Sequence, residues 1–305
     1  MDRNESLSEE THPLSPEFLR KLEYLRLRSR TPFPGRSAAL QKSSRLGRGM
    51  DFSDHRAYSP GDDFGDIDWN LYGRLDRLMV RLAEEENELN LHVLVDCSRS
   101  MATRPEGGGL SKADFAREVT TALSYIALSR LDRVHVYPFA GRLGHPVSPP
   151  RDKAGALRVF RHLAGLEVEG ETDLESVARA FVEVARVRGV VLVVSDFLAP
   201  DGWMRGINLL RHARHEVGLL QLTAPQEENI TSRGEVVLRD AETGHQRRIR
   251  ITEAVAQAYR AAFLEHSEEL RTYARKNRLF YHRSRCDASL DELVLSTMRA
   301  ERFVV

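Results

Sequence analysis

Five consecutive residues carry coordination chemistry: Asp96, Cys97, Ser98, Arg99 and Ser100 form an Asp-x-Ser-x-Ser triplet. It follows directly on the apolar run Leu91-His92-Val93-Leu94-Val95, which is short and β-branched in the manner of a buried strand. A carboxylate and two hydroxyls at alternate positions beyond a strand present three hard oxygen donors to one point in space. Such donors suit Mg²⁺, Mn²⁺ or Ca²⁺ and suit soft metals poorly. The triplet alone arises by chance in roughly one 300-residue protein in fifteen, so its weight rests on its position and on two distant partners. Thr172 lies in the polar turn Glu169-Gly170-Glu171-Thr172-Asp173-Leu174, which opens an amphipathic helix. Asp196 ends a second buried strand, Val190-Val191-Leu192-Val193-Val194-Ser195. Loops at the carboxyl edge of an open α/β sheet converge, and ligand sites collect there. Each piece also has an ordinary reading: Ser98 and Ser100 as turn residues, Thr172 as a helix N-cap, Asp196 as a turn former. Their shared order and context point instead to one divalent-ion site built from Asp96, Ser98, Ser100, Thr172 and Asp196.

Other reactive groups compete less well. Cys97 sits inside the same loop, but no sequence signature supplies a base to activate it, so a small filler beside the strand end is expected. Gly107-Gly108-Gly109-Leu110-Ser111-Lys112 has glycine, serine and lysine, yet lacks the spacing of a phosphate loop and falls well after the strand. The acidic group Asp62, Asp63, Asp66 and Asp68 lacks the glutamate and spacing of a calcium loop and reads as turn chemistry.

The elements that must position these residues alternate regularly from residue 89 onward, the pattern of a parallel sheet with crossover helices. Strands are expected at 89–95, 133–139, 190–195, 217–222 and 278–283. Helices are expected at 111–130, 153–163, 174–188, 203–214, 252–276 and 288–299. Residues 234–251 interrupt the rhythm as two short strands around Glu242-Thr243-Gly244, a β-hairpin signal. Upstream, residues 1–15 read as a disordered tail and 16–30 as a helix with Phe18, Leu19, Leu22, Leu25 and Leu27 on its apolar face. Residues 31–45 read as a linker, and 78–82 as a strand. The expected organisation is a tail at 1–15, an extension at 16–88, and a main domain at 89–299 carrying the 234–251 hairpin.

Composition limits the function. The chain has 305 residues, 41% hydrophobic and 30% charged, enough for a sizeable core. Lys plus Arg and Asp plus Glu are equal at 45 each, so a general nucleic-acid or anionic-membrane binder is not expected. Arginine-rich Gln246-Arg247-Arg248-Ile249-Arg250 then reads as a solvated hairpin face. There is no apolar window of membrane-spanning length and no signal-peptide core in Met1-Asp2-Arg3-Asn4-Glu5-Ser6, and two cysteines make no disulfide framework. A cytoplasmic location is expected.

Asp96, Ser98, Ser100, Thr172 and Asp196 resemble the metal-ion-dependent adhesion site (MIDAS) of von Willebrand factor type A domains. Tyr58-Ser59-Pro60-Gly61-Asp62-Asp63, Ile67-Asp68-Trp69 and Asp96-Cys97-Ser98-Arg99-Ser100-Met101 narrow the resemblance to the domain of unknown function 58 family, over about residues 45–290. The later Thr172-Asp173-Leu174 and Ser195-Asp196-Phe197 fit as well. One departure is Phe64-Gly65-Asp66, where that family commonly has basic residues. The resemblance implies an α/β fold: a three-layer von Willebrand factor A-like (Rossmann-like) domain with a mainly parallel central sheet, a small β-containing N-terminal extension and an inserted hairpin. It implies Mg²⁺ (or Mn²⁺ or Ca²⁺) as the cofactor, a protein partner that offers a carboxylate to the metal, and a MoxR-type AAA+ ATPase as working companion. It implies no catalysis.

Two other readings stand beside it. A strand ending in Asp before an oxygen-rich turn also describes haloacid-dehalogenase-like phosphatases, with Asp96 as nucleophile in Mg²⁺-dependent phosphoryl transfer. Their general acid two residues later is Ser98 here, which holds no titratable proton for a leaving group. Alternatively, an ion only staples the loops together, and a partner docks elsewhere on a metal-stabilised scaffold such as the 234–251 hairpin. Trp69 is expected as a packing anchor rather than a ligand platform.

Overall fold

A computed structural model of the chain describes residues 14–29, 52–60, 64–83, 89–199, 202–240 and 244–305. The chain divides into two compact units, 32–88 and the remainder. The expected tail before residue 14, the 31–45 linker, and Asp62 and Asp63 lie outside the described residues.

In the larger unit, helix α1 (Pro16–Leu22) is capped by Ser15, whose hydroxyl accepts from Phe18 N. The sequence predicts this helix to residue 30, and it stops about two turns after it begins. Beyond Leu22 the backbone pairs with the chain terminus: Arg26 N donates to Val305 O, Arg28 N donates to Phe303 O, and Leu27 bridges Val304. A non-local β-like pairing thus overrides the helical periodicity, and Leu14, placed in the tail by the sequence, is buried. Both α1 and the last residues belong with the larger unit, so the expected 16–88 extension divides and the main domain runs past residue 299.

The smaller unit contains β1 (Phe52–Ala57), paired antiparallel with β2 (Met79–Ala83), and helix α2 (Trp69–Leu75). Asp68 Oδ1 accepts from Leu71 N and so caps α2. Trp69 meets Tyr72 edge-on within that helix.

The core of the larger unit is a five-stranded, wholly parallel sheet. Its strands are β3 (Asn90–Asp96), β4 (Arg133–Phe139), β5 (Val190–Ser195), β6 (Glu216–Thr223) and β9 (Phe280–Arg285), in the order β4-β3-β5-β6-β9. Every residue of β3 and β5 is buried, as near-continuous apolar runs require when both faces of a parallel sheet are covered. On one face pack α5 (Leu174–Val184), α6 (Trp203–His212) and α8 (Glu253–Lys276), through Phe181, Trp203, Ile207 and Leu270 against Leu94, Val191 and Val193. Against the other lies α3 (Lys112–Ser129), buried almost all round, with α4 (Gly155–Ala164) and α1 outside it. This is the three-layer α/β arrangement, with a parallel central sheet, that the family resemblance implies. Two more pieces complete the unit: the short helix α7 (Pro225–Glu228), and the antiparallel hairpin of β7 (Gly234–Arg239) and β8 (Gln246–Ile251) where the sequence predicts it.

The connection order makes the site. The chain leaves β3 for β4 on one side and returns to β5 on the other, so the sheet has a topological switch point between β3 and β5. Asp96 and Asp196 stand at the carboxyl ends of these two strands, where such a sheet opens a crevice.

Gly206 sets how closely α6 approaches the start of α5, next to Thr172. A Cβ there would lie 2.6 Å from the carbonyl oxygen of Leu174. Gly206→Ala is therefore expected to push the two helices apart and cost roughly 1–3 kcal/mol despite its better helix propensity. Chemical denaturation checks this, and a neutral or stabilising result would contradict the packing.

Candidate functional site

Local hydrogen bonding explains how each donor reaches the crevice. Asp96 is fully buried, and its Oδ1 accepts from Ser98 N at 2.8 Å, which folds the chain back over the strand end. A single 3₁₀ turn, Arg99–Ala102, follows, with Ser98 at its cap position but its hydroxyl not used as a cap. That hydroxyl lies 3.1 Å from Ser100 Oγ, which donates to Asp196 Oδ2 at 2.7 Å. The other oxygen of Asp196 accepts from Leu198 N at 3.1 Å, so the aspartate is both turn former and site residue.

Thr172 arrives by a stitched loop. Glu169 N donates to Cys97 O and Arg99 N donates to Gly170 O, and Gly170 has φ 85°, a left-handed conformation that glycine adopts without strain. The cap of α5 is Asp173, whose carboxylate accepts from Ser176 N, so Thr172 is not spent on capping. Its Oγ1 lies 3.4 Å from Asp96 Oδ2, a long contact at the edge of hydrogen bonding. All five residues expected from the sequence therefore come together, with Thr172 the partly exposed member.

Three further residues belong to the cluster. Ser195 Oγ donates to Asp96 Oδ2 at 2.5 Å and accepts from Phe197 N. Lys112, the first residue of α3, is fully buried, and its Nζ donates to Asp196 Oδ2 at 2.7 Å and to Glu227 Oε1 at 2.5 Å. Glu227 comes from α7, just beyond the end of β6, where its other oxygen accepts from Ala224 N. Lysine is misplaced by ordinary rules here, since a cation at a helix N-terminus opposes the macrodipole. The one available signal was compositional: the chain has forty arginines and only five lysines, so a lysine is an unusual choice.

The electrostatics follow from burial. Burial first, and then the charge of Asp196, pushes the Asp96 carboxyl up to about 7, against the hydrogen bonds from Ser195 and Ser98. Burial works to strip the proton from Lys112, but Asp196 and Glu227 outweigh it and hold the ammonium charged. The Cys97 thiol is raised to about 11 by burial and then by Asp96, which makes it a poor nucleophile, in keeping with the filler expected there.

The donor set fits a hard divalent ion. Two carboxylates and three hydroxyls share one crevice, and a carboxyl forced upward by burial beside a second one is a group short of positive charge. Among the described residues, no three His, Cys, Asp or Glu side chains come together as a metal group, so an ion here would depend on the hydroxyls.

Comparison with known proteins places the chain. The family model described as "Protein of unknown function DUF58" matches residues 54–269. This chain belongs to the DUF58 family. The uncharacterized protein Rv1480 of Mycobacterium tuberculosis is 28% identical over 229 residues, 73% of this chain and 71% of its own length. Among solved structures, the hypothetical protein BatB of Bacteroides thetaiotaomicron is 14% identical, with a TM-score of 0.42 over 70% of this chain and 98% of that one. A von Willebrand factor type A protein of Catenulispora acidiphila is 13% identical, with a TM-score of 0.41 over 73% of this chain and 43% of that one. The family match starts after α1 and ends within α8; it includes the Phe64-Gly65-Asp66 departure and all eight cluster residues.

The raised Asp96 carboxyl has a definite stability sign. A carboxyl whose folded pKa lies above its unfolded value costs almost nothing at pH 3 or below, where both states are largely protonated. The cost grows as pH rises toward 7 and is constant above. Asp96→Asn in metal-free protein is thus expected to stabilise the fold by roughly 1–4 kcal/mol at pH 8 and by little at pH 3. Burial lowers His92 to about 3, which destabilises parent and variant alike as pH falls and so cancels in their difference. Urea denaturation across pH checks this; a difference that is flat with pH would contradict the assignment.

Proposed function

We propose that this DUF58 protein is a metal-gated protein-binding module of the cytoplasm, not an enzyme, and that it works with a MoxR-type AAA+ ATPase in assembling or remodelling another complex. The observation that carries the reading is the convergence of Asp96, Ser98, Ser100, Thr172 and Asp196 at the switch point, with Asp96 short of a counter-charge. Ser98 and Ser100 would hold Mg²⁺ or Mn²⁺ through their hydroxyls, Asp96 and Asp196 would neutralise it, and Thr172 would close the partly exposed side. The ion would supply a Lewis-acidic position for a carboxylate of the partner, a charge-assisted bond. Ser195 keeps Asp96 aimed into the crevice by its short hydrogen bond, and the stitched 169–172 loop keeps Thr172 beside it. The ATPase companion and the cytoplasmic setting rest on the family resemblance and the sequence reading alone; among the described residues no helix is long and apolar enough to cross a membrane.

Two outcomes test the reading. Mg²⁺ binds only the native state with Asp96 ionised, so the rise in Tm it produces is expected to grow from pH 6 to pH 8 and to vanish in Asp96→Ala. At a hundredfold excess over Kd the gain is about 2.7 kcal/mol. Coincident melting curves with and without Mg²⁺ at pH 8 would contradict it. For the partner, capture of a MoxR-type ATPase from the same organism is expected to be lost with chelator and in Asp96→Ala. Capture indifferent to both, yet lost on deleting residues 234–251, would leave a docking scaffold in place of a metal clamp.

A further inference from the structure

Lys112 is a fully buried cation at the metal crevice, and its position is built by the fold rather than left to chance. Ser111 caps α3 in a reciprocal capping box with Asp114: Asp114 N donates to the Ser111 hydroxyl, and Ser111 N donates to the Asp114 carboxylate. Lys112 N donates to Thr103 O. The helix start is therefore fixed at both sides of the lysine. Its Nζ reaches Asp196 Oδ2, the same oxygen that accepts from Ser100 Oγ, and on its far side Glu227. One atom bonded to two carboxylates at 2.7 and 2.5 Å suits a compact ammonium, which a planar guanidinium would not replace. In a chain that otherwise uses arginine eight times as often, this is a lysine kept for its shape.

We propose that Lys112 is the built-in competitor of the divalent ion: it satisfies Asp196 when no metal is bound, and its charge sets how weakly the ion is held. The inference rests on the metal reading above. The Lys112 ammonium is bonded directly to Asp196, so it offsets part of the negative charge that would draw a cation into the crevice. A divalent ion must share Asp196 Oδ2 with the ammonium or pull it away. The ion repels the lysine at short range in a low-dielectric setting, where like charges cost most. Glu227 acts oppositely: it holds Lys112 back toward α7 and away from the crevice. Occupancy of the site is thereby tied to α7, which leads into the β7–β8 hairpin, and the metal is held loosely enough to exchange.

Direction of effect separates this from a merely structural role. If Lys112 only shapes the site, removing it loosens metal binding; if it competes, removing it tightens binding. The experiment titrates Mn²⁺ into the full chain and reads free Mn²⁺ by electron paramagnetic resonance, for the parent, Lys112→Met, Glu227→Gln, and the double variant Lys112→Met/Glu227→Gln. The double variant removes the whole ion pair, so it leaves only Asp196 to be compensated and guards against a single variant that does not fold. The expected result is that Lys112→Met and the double variant bind Mn²⁺ at least about tenfold more tightly than the parent, and Glu227→Gln more weakly. Binding in the variants without detectable binding in the parent supports the proposal in its strongest form. A parent that binds Mn²⁺ with the folded lysine variants equal or weaker overturns the role of Lys112 and leaves the metal reading standing. No binding by any of the four overturns both.

Discussion

Two carboxylates, Asp96 and Asp196, are forced together out of water at the ends of adjacent parallel strands, and the rest of the site is an answer to that constraint. Both are buried, and unpaired charges in such a place are expensive. The chain answers in three ways. Backbone N–H groups of Ser98 and Leu198 each satisfy one oxygen, hydroxyls of Ser195 and Ser100 satisfy the others, and Lys112 brings a full positive charge to Asp196. Among the described residues no such charge is bonded to Asp96, and burial, then the charge of Asp196, pushes its carboxyl up to about 7. The asymmetry makes Asp96 the member with most to gain from a cation.

The sheet order dictates where this happens. Because β3 has β4 on one side and β5 on the other, with the crossovers leaving in opposite directions, the loops after β3 and β5 part and leave room between them. The loop before α5 fills that room from the side, tied to the 97–99 turn by two backbone hydrogen bonds. A third strand, β6, contributes through Glu227 just after its end. The hydroxyls of Ser98 and Ser100 come from one loop and those of Thr172 and Ser195 from two other segments, while the charges of Asp96, Lys112, Asp196 and Glu227 come from four separate places in the chain.

The legibility of the site in the sequence follows the same division. Asp96, Ser98 and Ser100 could be read because they are neighbours, and Thr172 and Asp196 because each sits at a recognisable turn or strand end. Lys112 and Glu227 could not, since their contacts span 84 and 115 residues and neither lies in a motif that points to a metal site. Ser195 was hidden as the last small residue of a strand. The parallel sheet and its helices were legible from apolar runs and three- and four-residue repeats. The end of α1 was not, because what stops it is pairing with Phe303 and Val305 at the other end of the chain. In the smaller unit, helix α2 also went unread, since Trp69-Asn70-Leu71-Tyr72-Gly73 carries glycine and too few turns to show a period.

The central claim is that these oxygens form one cation site. Anomalous diffraction from crystals grown with Mn²⁺ at pH 8 tests it most directly, because it reports position without any inference from stability. The account predicts a peak in the crevice between Ser98 and Ser100, within ligand distance of both hydroxyl oxygens. A peak elsewhere on the protein, or none at Mn²⁺ concentrations that shift the melting curve, would contradict it.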